Sequence, residues 1–538
     1  VVVTTAEAGL WTDSRYFLQA AEELQASGLQ LFKEGLPDTP SMTEWIVCTL
    51  PAGATVAIDG TTCSFAEGER WKAFFTAKGL HFKTDFTPFE EIWKGRPAVP
   101  ADAAFVYPVK YSGRSFSEKW EDVRKAIAER GAKGILICAL DELAWLLNIR
   151  GNDVEYNPVV VGFAYFSTTR RVLFLDKGKI TADLATYLQE NEIEQQPYEA
   201  VDTFLQGLPA DERVFVDPMR ANYRLTKLLV QQQNAVLGPS PITWLKSIKN
   251  KTEMEGRRAA MVRDGAAMVQ FLYWLDTHIG KEEITEIGIA EKLREFRGRQ
   301  PLYKGESFGT IAGYREHGAI VHYSASPESN SRLSPKGFLL VDSGAQYLDG
   351  TTDITRTIVL GPLTEEERRD YTLVLKGHIG IATAIFPEGT RGDQIDVLAR
   401  RHLWNVFRNY LHGTGHGVGH FLNVHEGPQN IRLEQNNTPL VPGMVTSNEP
   451  GIYLAGRYGI RTENLTLVVE AGESEFGHFY RFETLTLCPI DKRAIDKNLL
   501  TSEEVAWLDA YHRMVYDRVS PLLDETHKAW LRNATAPL

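Results

Sequence analysis

Residues 337–357 read GFLLVDSGAQYLDGTTDITRT, two apolar strand-like runs separated by a turn that contains Asp and Gly. Such runs around a turn of this composition are typical of β-hairpins. The hairpin carries Asp342 on its first strand and Asp353 on its second, and residues 443–469 repeat the arrangement with Glu449 and Glu463. The sequence therefore predicts two hairpins, each with a pair of carboxylates that face each other.

The placement of four acids inside strand-like segments is unusual. An ionised carboxylate is strongly unfavourable in a low-dielectric interior, and several together repel one another unless cations compensate them. Taken singly, each acid is equally compatible with a solvent-facing position on an edge strand. The four together favour a site that binds cations.

Between the hairpins, residues 412–420 read HGTGHGVGH. Four glycines in nine residues make a continuous helix costly, so the spacing of His412 and His416 does not predict a helical zinc site. Glycine permits the backbone to come close to a metal or ligand, although a flexible loop with incidental histidines is an alternative. His322 and His425 lie beside strand-like residues, and each alone could be a core histidine.

The four carboxylates and one imidazole together supply a charge of about −4, which two divalent cations would neutralise. An oxygen-rich ligand set suits hard or borderline metals such as Mn²⁺. Two metals that share a water lower its pKa and stabilise a tetrahedral intermediate. This pattern predicts a dinuclear hydrolase in which the other histidines transfer protons or contact the oxyanion.

The N-terminal half contains a repeated strand, Asp, helix pattern, once around Asp13 and once around Asp176. This repeat indicates two α/β domains. Pro-rich breaks divide the chain into residues 1–100, 101–241 and 242–538. Because the first copy lacks a helix and a strand that the second has, we expect about 50 further residues upstream.

The pattern after residue 241 changes to long helices alternating with the hairpins, which predicts an α+β domain. A capping box at Thr252 predicts the start of a long helix, and a second box at Thr364 predicts another. Residues 393–410 read as one helix, and the polar tail 501–538 reads as helical.

The composition restricts the class of partner. Lys and Arg number 58 against 70 Asp and Glu, a net charge of −12, which argues against nucleic acid or a membrane surface as partner. No apolar run approaches the ~20 residues that span a bilayer. The four cysteines form no C-x-x-C pair and three lie in or beside apolar runs, so we expect a reducing compartment, the cytoplasm.

Five stretches together carry a family resemblance: VDSGAQY at 341–347, DGTTDITRT at 349–357, HGTGHGVG at 412–419, NVHEGP at 423–428 and EPG at 449–451. With WTDSRYFLQA at 11–20 they resemble the three-domain, cytosolic type of Xaa-Pro aminopeptidase, and the likeness covers essentially the whole chain. The resemblance implies two creatinase-like α/β domains followed by a pita-bread catalytic domain. It also implies a homodimer that removes the N-terminal residue of peptides with proline second, through a metal-bridging water or hydroxide.

The resemblance assigns the metal ligands residue by residue. They are Asp342, Asp353, His416, Glu449 and Glu463. Asp353 and Glu463 would bridge two divalent ions, most simply Mn²⁺, with Zn²⁺ or Co²⁺ as alternatives. Glu449 would also shuttle a proton for the nucleophilic water.

The substrate contacts follow in the same way. His322, His412 and His425 would contact the peptide and act in catalysis, with Arg15 and Arg461 as further substrate contacts. Ser14 stands where the family has Gly, which affects the local backbone of Arg15. His420 is excluded despite its spacing from His416.

Three other functions compete with this one. A prolidase-like dipeptidase would use the same metal site, but the duplicated N-terminal half favours the aminopeptidase. A peptide-binding module that had lost catalysis should have lost ligands, and all five are present. A dinuclear phosphoesterase would need cationic groups for phosphate, for which Arg461 alone is weak support.

Overall fold

The computed structural model describes residues 1–538, apart from the side chain of Glu90. These residues divide into two compact units, one of residues 1–11 and 32–246 and the other of residues 12–31 and 247–538. The segment 12–31 thus belongs to the second unit although it lies near the start of the chain. The three-domain division at residues 100 and 241 stays a prediction.

The first unit is built on several small sheets and one larger sheet. Its strands, in chain order, are β1 (Val2–Val3), β2 (Ala8–Thr12), β3 (Gln30–Lys33), β4 (Thr55–Ala57), β5 (His81–Lys83), β6 (Phe105–Val106), β7 (Gly134–Ile137), β8 (Ile149–Arg150), β9 (Phe163–Ser167), β10 (Arg171–Phe174), β11 (Glu194–Gln196), β12 (Val214–Val216) and β13 (Ala235–Leu237). The large sheet has the order β11-β10-β9-β7-β12-β13, in which β9 is antiparallel to both neighbours and the remaining pairs are parallel.

The smaller sheets support the predicted duplication. Strands β1, β2 and β3 form one sheet, and β4 pairs with β5 in parallel as β12 pairs with β13. Among the described residues, the first copy has no strand that corresponds to β7. Its strands form two sheets, whereas six strands of the second copy join into the large sheet and the other two, β6 and β8, pair with each other.

The helices up to residue 247 alternate with these strands, as an α/β arrangement requires. They are α1 (Phe17–Glu23), which belongs to the second unit, and α2 (Met42–Thr49), α3 (Phe65–Ala77), α4 (Phe89–Ile92), α5 (Val109–Ser112), α6 (Phe116–Ala128), α7 (Leu140–Leu147), α8 (Ala182–Glu190), α9 (Val201–Gln206), α10 (Tyr223–Gln231) and α11 (Pro241–Ser247).

The second unit combines long helices with antiparallel sheets. Its helices after α1 are α12 (Lys251–His278), α13 (Glu286–Gly298), α14 (Glu365–Ala382), α15 (Gly392–Ile395), α16 (Val397–Trp404), α17 (Ser502–Val519) and α18 (Glu525–Ala534). Its strands are β14 (Tyr303–Glu306), β15 (Ile311–Tyr314), β16 (Phe338–Ser343), β17 (Ala345–Tyr347), β18 (Gly350–Thr351), β19 (Ile354–Val359), β20 (Ile385–Pro387), β21 (Gly415–Gly417), β22 (Glu426–Ile431), β23 (Val445–Asn448), β24 (Gly451–Leu454), β25 (Tyr458–Arg461), β26 (Asn464–Ser474) and β27 (Gly477–Thr484).

Two of the predicted helix boundaries are wrong. Helix α12 is capped by Asn250, whose side chain accepts from the Glu253 amide while Glu253 reaches back, so the capping box does not begin at Thr252. The helix expected over residues 393–410 is instead the short pair α15 and α16, which ends at Trp404; Phe407 then adopts a left-handed φ of 58°. The box at Thr364 is confirmed as the start of α14.

Helix α12 has apolar contacts on two sides. Met268 and Leu272 pack in one buried cluster with α13 and with Val341 of β16. Ala266 and Val269 lie in a second cluster, with α14 and α17. Full burial of a large aliphatic side chain stabilises the fold by about 1.5–3 kcal/mol, so these clusters fix the strands that carry the acids. Helix α17 of the C-terminal segment packs on its own unit, where Leu508 is buried.

Each predicted hairpin consists of two ladders in succession. Strand β16 pairs with β19, and the chain between them forms the smaller pair β17 and β18. Strand β23 pairs with β26, and the chain between them forms β24 and β25. In both hairpins the candidate acids lie where the first ladder gives way to the second. None of the described helices is both long enough and apolar enough to cross a membrane.

Candidate metal centre

The two hairpins bring their acids to one place. Asp342 lies near the end of β16 and Asp353 immediately precedes β19, while Glu449 follows β23 and Glu463 precedes β26. The Glu463 amide donates to the Thr355 carbonyl at 3.1 Å. The Thr355 hydroxyl donates to Glu463 Oε2 at 2.7 Å. The two acid pairs are therefore joined by direct hydrogen bonds between the hairpins.

His416 completes the cluster. One ligand atom each of Asp353, His416 and Glu463 lies within 4.8 Å of the others. His416 Nε2 is 3.5 Å from Asp353 Oδ2 and 3.5 Å from Glu449 Oε1. His416 Nδ1 is 2.9 Å from the Gly417 carbonyl, which can only accept, so Nδ1 carries the proton. Nε2 is therefore the ring nitrogen that faces the acids, which is the orientation a metal ligand requires.

The glycine-rich segment is extended at His416, as β21. A Cβ at Gly415 would lie 2.1 Å from the Ser447 carbonyl oxygen, and one at Gly417 would lie 2.3 Å from that of Glu426. The glycines therefore let β21 approach β23 and β22 more closely than any other residue allows. The Ser447 hydroxyl accepts from the His416 amide at 2.9 Å and donates to Glu449 Oε1 at 3.2 Å.

The electrostatics indicate that this cluster needs cations. Burial first, and then the charges of the neighbouring acids, raise the pKa of Asp353 and of Glu463 well above the usual carboxyl range. Burial also raises the pKa of Glu449. Asp342 Oδ1 is buried and, among the described residues, has no hydrogen-bond partner. These buried acids and the unpartnered oxygen fit a divalent metal centre.

Arg461 is the cation that the protein itself supplies. Its guanidinium donates to Asp342 Oδ2 and to the Tyr453 hydroxyl, both at 2.6 Å, and its side chain is only 2% exposed. Tyr453 Oη is also 2.8 Å from His412 Nε2. Arg461 thus offsets part of the acidic charge from within the protein; its expected contact with substrate stays a prediction. Sequence reasoning missed Tyr453, which lies two residues after the EPG motif.

The three histidines predicted to contact substrate, His322, His412 and His425, lie in the same unit but in different surroundings. His322 is half-buried, and its Nδ1 is 2.9 Å from the Tyr16 hydroxyl. His425 is exposed, and its ring lies edge-on to His416 with centroids 4.2 Å apart. His412 Nδ1 is 2.8 Å from the Gly413 carbonyl. Burial lowers the pKa of His322 to about 4 and that of His412 to about 3, so both rings are neutral at pH 7.

Arg15 belongs to the segment 12–31, which is part of the unit that holds the acids. It donates to Asp13 through Nε at 2.7 Å and Nη2 at 2.8 Å, and its side chain is 41% exposed. The hydrogen bond with Asp13 is the main cause of its raised pKa, and the charge of Glu449 contributes. Tyr16, which contacts His322, was not predicted as a site residue, although it lies in the motif at residues 11–20.

Known proteins resemble this chain along its whole length. Residues 255–470 match metallopeptidase family M24, residues 95–253 match the creatinase/prolidase N-terminal domain, and residues 478–538 match the C-terminal region of M24 peptidases. Fold and site thus define a metallopeptidase with a creatinase-like N-terminal domain and a pita-bread catalytic domain.

The relatives narrow this class. The chain is 41% identical to the probable Xaa-Pro aminopeptidase P of Laccaria bicolor, covering all of this chain and 85% of that relative. It is 37% identical to aminopeptidase P1 of Arabidopsis thaliana, covering all of this chain and 91% of that relative. The crystal structure of the X-prolyl aminopeptidase of Caenorhabditis elegans, described as a cytosolic enzyme with a di-nuclear active site, superimposes with a TM-score of 0.96 at 35% identity over this whole chain and 89% of that chain. The chain belongs to the Xaa-Pro aminopeptidase P family.

Proposed function

We propose that this chain is a metal-dependent aminopeptidase that hydrolyses the N-terminal Xaa-Pro bond of peptides. The observation that carries the proposal is the group formed by buried Asp353 and Glu463 with half-buried His416, whose ligand atoms lie within 4.8 Å of one another, in a chain with full-length Xaa-Pro aminopeptidase relatives. The likeness to the Xaa-Pro dipeptidase of Bacillus anthracis, at 22% identity and a TM-score of 0.54 over 70% of this chain, shows the fold alone.

The proposed metal ligands are the five residues of the cluster. They would be Asp342, Asp353, His416, Glu449 and Glu463, of which Asp353 and Glu463 would serve both ions. Four carboxylates and one imidazole favour Mn²⁺, with Zn²⁺ or Co²⁺ as alternatives. When bound, two such ions polarise the scissile carbonyl and make water acidic enough to attack near neutral pH.

The remaining steps belong to side chains of this chain. Glu449, whose pKa is raised by burial, is suited to take the proton of the attacking water and pass it on. The scissile nitrogen of an Xaa-Pro bond belongs to a tertiary amide and must be protonated as it leaves. His322, His412 and His425 are proposed to contact the peptide and stabilise developing charge. Arg15 is proposed to bind the substrate beyond the scissile bond.

We expect cleavage of Ala-Pro-Ala and longer Xaa-Pro peptides, and failure on Ala-Ala-Ala and on N-acetylated Ala-Pro-Ala. Proline has a fixed φ near −65° and no N–H, so a pocket beside the metal centre can select its rigid ring. A free N-terminal amine can pair with the acids of the cluster, which sets the cleavage position. The measurement is kcat/KM for each peptide with metal-loaded enzyme.

Cleavage of the dipeptide Ala-Pro distinguishes an aminopeptidase from a prolidase-like dipeptidase. An aminopeptidase should prefer Ala-Pro-Ala to Ala-Pro. A strong preference for the free dipeptide would overturn the aminopeptidase proposal while leaving the metal site intact.

We also propose that the active form is a homodimer, and exposed apolar residues at the end of α16 and in the segment that follows it support this. Trp404 is 40% exposed, Phe407 99% and Leu411 58%. Large apolar groups exposed close together in the chain favour an interaction site in this segment, and the commonest symmetric solution is a twofold dimer.

Phe407→Asp is expected to convert the dimer into a 60.4 kDa monomer, because a charge in an apolar interface is desolvated without a partner. Phe476→Asp is the matched control, since Phe476 is 81% exposed on the β26–β27 turn. Light scattering measures the mass. A wild-type chain that is monomeric, or a Phe407→Asp variant that stays dimeric, would contradict this interface.

The proposed location is the cytoplasm, and the proposed partners are peptides with proline second rather than nucleic acid or membranes. The C. elegans relative is described as cytosolic. All four cysteines are free thiols, as expected in a reducing compartment.

A further inference from the structure

His378 of α14 forms hydrogen bonds with residues next to two proposed ligands, Glu449 and Glu463, and with none of the five ligands themselves among the described residues. Its side chain is completely buried. Nδ1 is 3.1 Å from the carbonyl oxygen of Asn448, and Nε2 is 3.1 Å from Asn464 Nδ2. The ring therefore contacts two different strands, β23 and β26.

The two asparagines lie opposite each other, Asn448 at the end of β23 and Asn464 at the start of β26. Asn448 and Asn464 are direct cross-strand partners. Asn448 precedes Glu449 in the chain and Asn464 follows Glu463. Asn448 Nδ2 also donates to the His378 carbonyl at 2.9 Å. The His378 side chain thus connects the backbone of Asn448, next to Glu449, to the side chain of Asn464, next to Glu463.

The hydrogen-bond directions are fixed by a buried guanidinium. Arg356 can only donate, and its Nη2 lies 2.8 Å from Asn464 Oδ1, so Asn464 Nδ2 points to His378. In the neutral ring His378 Nε2 therefore accepts from Asn464, and Nδ1 carries the proton and donates to the Asn448 carbonyl; the Thr462 carbonyl also faces the ring. Arg356 also donates to the Glu463 carbonyl at 2.7 Å. Burial lowers the pKa of His378 to about 3, which agrees with a neutral ring.

We propose that His378 is a positioning residue that fixes the spacing of Glu449 and Glu463 through Asn448 and Asn464. This inference rests on the proposed dinuclear function and adds a residue that sequence motifs did not indicate. Residues that orient metal ligands from behind typically change metal affinity or activity by about 10–100-fold when they are removed.

Three substitutions separate the two contacts. His378→Leu removes both, His378→Asn keeps an amide donor near the Nδ1 position, and His378→Gln keeps an acceptor near the Nε2 position. We expect His378→Leu to weaken Mn²⁺ binding and lower kcat on Ala-Pro-Ala by about 10–100-fold each. KM should change little, because His378 does not reach the substrate. Each amide variant should recover part of both losses.

The measurement is calorimetric titration of chelator-stripped full-length protein with Mn²⁺, paired with kcat and KM on the same samples. His512→Leu is the matched control. His512 is also completely buried in this unit, but its Nε2 accepts from the Ile490 amide, away from the acids. It should keep wild-type metal affinity and kcat.

Equal losses in the His378→Leu and His512→Leu variants would overturn the positioning role, as would wild-type affinity and kcat in His378→Leu. If His378→Leu does not fold, the amide variants decide. We expect His378→Asn and His378→Gln each to bind Mn²⁺ about 3- to 10-fold more weakly than the wild type, which in free energy is half of the effect expected for His378→Leu. Unchanged Mn²⁺ affinity in both amide variants would overturn the inference. A wild type that binds fewer than two ions refutes the proposed function as well, whereas unaffected variants of a two-ion wild type refute only the role of His378.

Discussion

Asp353→Asn and Glu463→Gln are each expected to abolish turnover on Xaa-Pro peptides. Both acids are buried beside His416 and are the proposed shared ligands. Neutralising one removes a charge that holds both cations. Loss of about 4 kcal/mol of transition-state stabilisation corresponds to about 10³-fold in kcat, and we expect at least that loss.

Metal content and folding are measured on the same variants, by elemental analysis and circular dichroism. Folding should survive, because removing a carboxylate relieves repulsion among buried acids. Asp349→Asn is the matched control: Asp349 lies on the same hairpin and its carboxylate pairs with Arg263. A ligand variant that keeps two ions and wild-type kcat would contradict the assigned ligand set.

His412→Ala and His425→Ala are expected to reduce kcat by about 10²-fold or more while both metals are retained. General acid–base and electrostatic groups contribute about 10²–10⁴-fold, and neither histidine is a proposed ligand. The two histidines differ in their surroundings. His412 is within hydrogen-bond distance of the Tyr453 hydroxyl, which accepts from Arg461, whereas His425 is exposed and its ring lies beside that of His416. Steady-state kinetics at a measured metal content checks both.

His420→Ala tests whether this effect is specific. His420 is buried in the same segment and lies outside the group formed by Asp353, His416 and Glu463 among the described residues. We expect little change in kcat for the folded variant. An effect as large as that of His412→Ala would require a different account of residues 412–420.

Local patterns in the sequence were sufficient for the two hairpins. Apolar alternation around Asp/Gly turns and acids at matching positions predicted the hairpins of Asp342, Asp353, Glu449 and Glu463. The structure brings these hairpins together, although only Asp342 lies within a strand and the other three acids adjoin strand ends. The glycines around His416 also indicated close backbone approach. The structure explains this, because a Cβ at Gly415 would lie only 2.1 Å from the Ser447 carbonyl oxygen. These signals are short-range and repeat within the chain.

Contacts between residues that only the fold brings together could not be predicted from local sequence patterns. The bond of Arg461 to Asp342 and the bridge from His378 to Asn448 and Asn464 join residues far apart in sequence. Helix starts also depend on which of several polar residues reaches the free amides, so Asn250 displaced Thr252 as the cap of α12. The N-terminal segment 12–31 joins the second unit through tertiary contacts that its own α/β pattern does not encode.

The most direct test of the account is a metal titration of chelator-stripped enzyme. Mn²⁺ is added stepwise, bound metal is counted by elemental analysis, and cleavage of Ala-Pro-Ala is measured on the same samples. The account predicts that full activity is reached at two ions per chain. Full activity with one bound ion or none would contradict the dinuclear centre.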